Sequence, residues 1–135
     1  EEMFSIFQQF EDHPGDVLAA LLDGLNIGVQ RHMDTGSCVI DLDMMAEAGR
    51  NVKVASLLRD MDTQARGRMR QLLTSERSAL KDIDELELES RINVIFSMMA
   101  GLLLRKLLYP ELTEKTVLIA LRPAMKTLLM PFDKA

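Results

Sequence analysis

The chain has 135 residues, with 16 Lys and Arg against 21 Asp and Glu, so its net charge is −5. That length suits one domain with a real core, and the acidic balance leaves no basic face of the kind that binds nucleic acid phosphates. A single cysteine, Cys38, excludes an intrachain disulfide and lends no support to secretion. Tryptophan is absent, aromatics are few, and apolar residues recur at helical spacing almost throughout. This pattern predicts an all-α bundle of about five to six helices. The mean hydropathy of +0.02 is high for a soluble monomer and fits an interface hidden by self-association.

The chain opens on Glu1 and Glu2, the wrong charge for a signal peptide, and without an initiator Met. We therefore expect a piece of a longer protein. Residues 3–10 put Met3, Phe4, Phe7 and Phe10 on one helical face, which suggests a hinge segment packed on the main body. Residues 1–12 would then be the end of a connecting helix, and 13–135 the domain proper. The run from Glu11 to Gly15 breaks the first helix, with Pro14 at the first position of the next. Asp12 is the expected N-cap, and Asp16 suits the positive end of the dipole.

The second helix is expected from Pro14 to His32, with Val17, Leu18, Leu21, Leu22, Leu25 and Val29 on its inner stripe. Gly24 and Gly28, one turn apart, thin one face. Close packing against a neighbouring helix is favoured there over room for a ligand. The segment from Asp34 to Ser37 has the chemistry of a turn, and 41–50 that of a short helix. A long helix should follow over 52–80, with Val54, Leu57, Leu58, Met61, Ala65, Met69, Leu72 and Leu73 inward. Arg59, Asp60, Gln64, Arg68 and Glu76 would face water.

The stretch from Glu87 to Tyr109 is the most informative. It is helical by composition and stops at Pro110. Ile92, Phe96, Met99, Leu103 and Leu107 form one bulky stripe, and Asn93, Ser97, Gly101, Leu104 and Leu108 form a second, smaller one nearly opposite. Only a wedge holding Arg91 and Arg105 looks made for water. Its apolar run is too short to span a bilayer, which takes about 20 residues, so no membrane is expected. One face should meet the chain's own core and the other a second copy of the chain. Thr113 should cap a last helix by its hydroxyl, with Val117, Leu121, Ala124 and Leu128 inward and Pro123 inside it.

Catalytic chemistry finds little footing. His13 and His32 lie at opposite ends of one helix, Glu85, Glu87 and Glu89 splay apart, and no phosphate loop or nucleophile elbow occurs. We expect no enzyme activity, no metal and no cofactor. The ten methionines are the sharper anomaly. Any one of them is most simply core filler. Together, Met44, Met45, Met61 and Met69 with Phe96 and Met99 would line a soft apolar cavity between helices. Leu21, Leu25 and Ala65 would add to its walls, with Asp62, Asn93 and Arg66 as polar contacts.

Two stretches carry a resemblance: NVKVASLLRDMDTQARGRMRQLL (51–73) and MMAGLLLRKLLYPELT (98–113). With the segment Glu47-Ala48-Gly49-Arg50-Asn51 between two helices, the region from Pro14 to Met130 resembles the C-terminal regulatory domain of TetR/AcrR-type transcriptional regulators. The resemblance implies a bacterial, cytoplasmic repressor whose last two long helices pair with their mates as a four-helix dimer. Leu118, Arg122, Met125 and Leu129 would join Ser97, Gly101, Leu104 and Leu108 in that homodimer interface. It also implies a small-molecule effector pocket enclosed by the preceding helices, with DNA bound only through a helix-turn-helix domain outside these residues. From a different class stands the alternative of a helical scaffold domain that binds a partner protein. A basic helix-turn-helix encoded immediately upstream would discriminate the two.

Overall fold

The computed structural model describes residues 2–13 and 15–133, apart from the side chains of Glu2, Met3, Phe4 and Ile6. The expected packing of the Met3 and Phe4 side chains and the expected position of Pro14 therefore lie outside what is described. Among the described residues the fold is all-α, without strands, in six helices. These are α1 (Glu2–Asp12), α2 (Val17–His32), α3 (Thr35–Ala48), α4 (Val52–Leu73), α5 (Glu85–Leu108) and α6 (Glu114–Leu129).

Short polar side chains set most of the boundaries. Each of α2 to α6 begins on a residue whose side chain accepts a hydrogen bond from a first-turn amide, which satisfies one of the helix's free donors. The caps are Asp16, which takes the amide of Ala19 at 2.7 Å, and then Asp34, Asn51, Asp84 and Thr113. Asp16 thus replaces Asp12 as the cap of α2. Asp34 turns the expected loop into a helix start, and α3 is longer than the short helix foreseen. The Asp34 carboxyl is held below its ordinary value by the Ser37 amide and then the Ser37 hydroxyl, both of which favour the charged form.

The expected helix over 52–80 stops at Leu73. The Thr74 hydroxyl donates to the Arg70 carbonyl at 2.8 Å, and that of Ser75 to the Leu72 carbonyl at 2.8 Å. Hydroxyls that bind the backbone locally compete with helix continuation. The connection that follows turns inward, burying Leu80 and Ser78, whose Oγ accepts from the Leu80 amide.

The second helix is the hub, packed against α1, α3, α5 and α6. Val29, Leu73, Leu88 and Ile92 form the deepest part of the core with Leu80. Full burial of a leucine-sized side chain contributes roughly 1.5–3 kcal/mol. The buried face of α5 centres on Leu88, Ile92, Ile95, Leu102 and Leu103. It lies about half a residue round from the expected stripe, so Phe96 and Met99 sit at its margin. That shift carries Arg91 inward. The side chain expected in water is only 2% exposed.

Candidate functional site

The apolar stripe of α4 runs at i, i+3 and i+4 spacing from Val54 to Leu73, yet it is fully buried only in its C-terminal half, with Val54 and Leu58 half-buried. Ala65, Met69, Leu72 and Leu73 are buried, whereas Leu57 is 53% and Met61 46% exposed on the same face. On α3, Leu42 and Met45 share a side with buried Cys38 but are exposed themselves. Met44 is half-buried. The result is a set of exposed apolar side chains on α3 and the first half of α4, while on α5 Phe96 and Met99 are half-buried against the core.

Charged groups order one edge of this surface. Arg66 donates to Asn93 and Glu89, and Arg70 to Glu85 and Glu89, tying α4 to α5. Asn93 is thus engaged by Arg66, as a polar neighbour rather than a free one. Asp62 is exposed.

The expected effector residues therefore separate into three groups. Leu21, Leu25, Ala65 and Met69 belong to the packed core, not to the wall of an open space. They are apolar residues at the centre of their helix faces, and the neighbouring helices close over them. Met44, Phe96 and Met99 line the margin. Met61, Asp62 and Asn93 face outward. Two clefts, of about 660 Å³ and 440 Å³, flank the turn between α5 and α6 instead. None of the expected effector residues lines either one. The larger is bounded by Met33, Asp34, Thr35, Lys106, Leu112 and Lys115 among others. Lys106 is committed to the turn itself, donating to the carbonyls of Pro110 at 2.6 Å and Leu112 at 2.7 Å.

The expected interface residues also divide. On α5, Ser97 is exposed, Leu104 is 49% and Leu108 60% exposed, and a Cβ placed on Gly101 would meet nothing within 4 Å. On α6, Met125 and Leu129 are buried in the chain's own core, so they offer no surface to a partner. They lie one residue on from Ala124 and Leu128, and the helix is rotated so that both pairs face inward. Leu118 is half-buried against the core. Arg122 reaches across to α2, donating to the Leu22 carbonyl at 3.2 Å and to Asn26 at 2.8 Å. The outward residue of α6 that the sequence pattern passed over is Ile119.

Three arginines were missed as organisers. Arg91 binds the C-terminal carbonyls of α6, Arg68 pairs with Glu11, and Arg77 donates to the carbonyls of Glu11, His13 and Gly15. For Arg91 a signal existed. It has Leu88 three residues before it and Ile95 four after it, on the apolar face, with Glu87 one turn back as a partner.

Among the described residues, no group of three or more His, Cys, Asp or Glu side chains could hold a metal ion, and no helix is long and apolar enough to cross a membrane. His13 bonds Asp23 at 2.9 Å, and His32 meets the Gly28 carbonyl at 2.8 Å, so the two histidines serve separate local contacts. Comparison with protein-family models, with curated proteins and with solved structures finds no match to this chain.

Proposed function

We propose that residues 13–135 form an effector-sensing and dimerisation domain of a TetR/AcrR-type bacterial transcriptional regulator. An apolar or amphipathic small molecule binds over the α3 and α4 surface beside Phe96 and Met99. Its binding shifts α1 and so controls DNA binding by a helix-turn-helix domain outside these residues. The regulator is a cytoplasmic repressor, and the domain works as a homodimer.

The observation that carries this proposal is the two-sided character of α5. One face is built into the core, and on the opposite face Val94, Ser97, Leu104 and Leu108 are exposed, beside Gly101 and the Arg66-bound Asn93. Leucines as exposed as Leu104 and Leu108 on one uncharged stripe form a patch of the kind that marks an interaction surface. Gly101 lets a second backbone approach closely, and a two-fold axis would let the stripe meet itself. The half-uncovered stripe of α4, with Leu57 and Met61, supplies the apolar contact for the effector.

Sedimentation velocity on the wild-type chain and on Gly101→Arg tests the dimer. The wild type should sediment as a dimer at tens of micromolar. Gly101→Arg should weaken association by more than about 100-fold, equivalent to about 2.7 kcal/mol. A wild-type chain that stays monomeric at high micromolar concentration contradicts the dimer.

A further inference from the structure

The partners of the two histidines assign their ring protons differently. The Gly15 amide donates to Nδ1 of His13 at 3.0 Å. A backbone N–H can only donate, so Nδ1 carries no proton and the ring is neutral, with its proton on Nε2. That Nε2–H donates to the Asp23 carboxylate of α2 at 2.9 Å. At His32 the geometry is reversed, because Nδ1 faces the Gly28 carbonyl at 2.8 Å. A carbonyl can only accept, so Nδ1 of His32 holds a proton in the neutral and charged forms alike.

A second ring proton therefore has opposite consequences at the two sites. Histidine ordinarily gains its charge between about pH 8 and about pH 5, and an imidazolium has two donors and no acceptor. His32 keeps its bond to Gly28 in that form. At His13 a proton on Nδ1 meets the Gly15 N–H, and two donors cannot bond. The ring lies directly against Gly15, where an added Cβ would fall 3.0 Å from Cε1 and 3.1 Å from Nδ1. The His13 side chain is 26% exposed, so solvent can deliver the proton.

The charged groups around this junction have other duties. Arg77, from the α4–α5 connection, donates to the carbonyls of Glu11, His13 and Gly15, and its own carbonyl accepts from the Val17 amide at 3.2 Å. On α1, the Glu11 carboxylate pairs with Arg68 of α4, and that of Asp12 accepts from Gln8. Asp16 is engaged as the cap of α2. Arg77 holds the backbone and Asp23 holds Nε2, which leaves the bond from Gly15 to Nδ1 as the contact that a proton breaks.

We propose that His13 is a proton-sensitive strut in the junction between α1 and α2. A proton from solvent bonds to Nδ1 through the lone pair that now accepts from Gly15, and that hydrogen bond is lost. Nε2 keeps its bond to Asp23 and Arg77 keeps its carbonyls, so the junction loosens at Gly15. The device answers to a proton alone and depends on neither the effector nor the dimer.

NMR on the full chain tests it between about pH 8 and about pH 5.5. Long-range proton–nitrogen spectra at the upper pH should show His13 protonated at Nε2 and His32 at Nδ1. On acidification the protection of the Gly15 amide from exchange, relative to the unstructured rate, should fall about fivefold or more, as for the loss of one hydrogen bond. The fall should track protonation of the His13 ring, with the Val29 amide unchanged as the core reference. In His13→Asn, Oδ1 takes the place of Nδ1 as an acceptor and does not gain a proton, so Gly15 should stay protected throughout. A proton on Nδ1 of His13 at the upper pH, Gly15 protection that survives protonation of the ring, or an equal fall in wild type and His13→Asn would overturn the strut. Should His13→Asn not fold, the wild-type spectra decide the matter by the first two outcomes.

Discussion

The guanidinium of Arg91 donates to the carbonyl of Met130 at 2.6 Å, closing the exposed end of α6 from inside the protein. The same side chain donates to Leu128 at 2.7 Å and Glu87 at 2.9 Å, and lies 3.6 Å from the centre of the Phe132 ring. The last carbonyls of a helix have no partners within it and carry its negative pole, so a buried cation there is compensated twice. Removing it strands those carbonyls. Arg91→Met, which keeps most of the packing, should lower stability by about 3 kcal/mol in urea unfolding, and Arg91→Lys should recover only part of this because an ammonium lacks the planar fork. A loss below about 0.5 kcal/mol, the level of an ordinary surface change, would contradict this role.

Two glycine substitutions should move stability in opposite directions. Gly67 lies on the outer face of α4, and a Cβ there meets nothing within 4 Å. Gly67→Ala should therefore stabilise by up to about 1 kcal/mol, the ordinary gain from removing a helical glycine. Gly24→Ala carries the same gain, but its methyl would fall 2.4 Å from Phe10, so the ring must leave its seat. The second substitution should lower the thermal midpoint while the first raises it. A rise in both would show that Phe10 shifts aside freely.

Cys38 is buried, with its thiol donating to the His32 carbonyl at 3.2 Å. Burial first, then the charges of Asp41 and Asp34, pushes the thiol above its ordinary value, while Lys106 acts in the opposite sense. An unfolded thiol titrates near about 8.5. Because the folded value is the higher one, the stabilising effect of the neutral thiol is complete below the unfolded pKa and is lost as pH rises through the folded one. Reaction with a disulfide reagent should be slow in the native chain, with a midpoint above that of the same chain in denaturant. Matching midpoints would contradict the burial of the thiolate-forming atom.

What the sequence showed and what it hid divide along a physical line. Helical periodicity located the six helices, and the two faces of α5 were visible because Ser97, Gly101, Leu104 and Leu108 recur at helical spacing. The Thr113 cap was also legible, and its Oγ1 accepts the Thr116 amide at 3.3 Å. These features depend on residues within one helix. Arg77 and Arg68 were hidden because their partners lie far along the chain, up to 66 residues away for Arg77 and Glu11, whereas Arg91 carried a local signal in Glu87 and only its carbonyl partners on α6 were out of reach. The core positions of Leu21, Leu25, Ala65 and Met69 against a cavity position were equally hidden, since an inward face says nothing of what closes over it. Met125 and Leu129 failed for a smaller reason, a rotation of α6 by about one residue.

With a net charge of −5, residues 1–135 should not bind duplex DNA, even in low salt where non-specific attraction is strongest. Fluorescence anisotropy with a labelled duplex checks this. Salt-sensitive, sequence-specific binding by these residues alone would overturn the division of labour proposed between this domain and a separate DNA reader.

Calorimetric titration of apolar compounds, chosen by a thermal-shift screen, tests the sensing function most directly. Wild type, Met61→Ala and Phe96→Ala should be compared. Met61 is exposed and Phe96 half-buried at the margin of the proposed surface, and neither belongs to the outward α5 stripe around Ser97 and Gly101. The account predicts a compound that binds wild type, with affinity falling about tenfold, or about 1.4 kcal/mol, in each variant while the sedimentation of the dimer is unchanged. Binding that is identical in all three proteins would contradict an effector site on this surface.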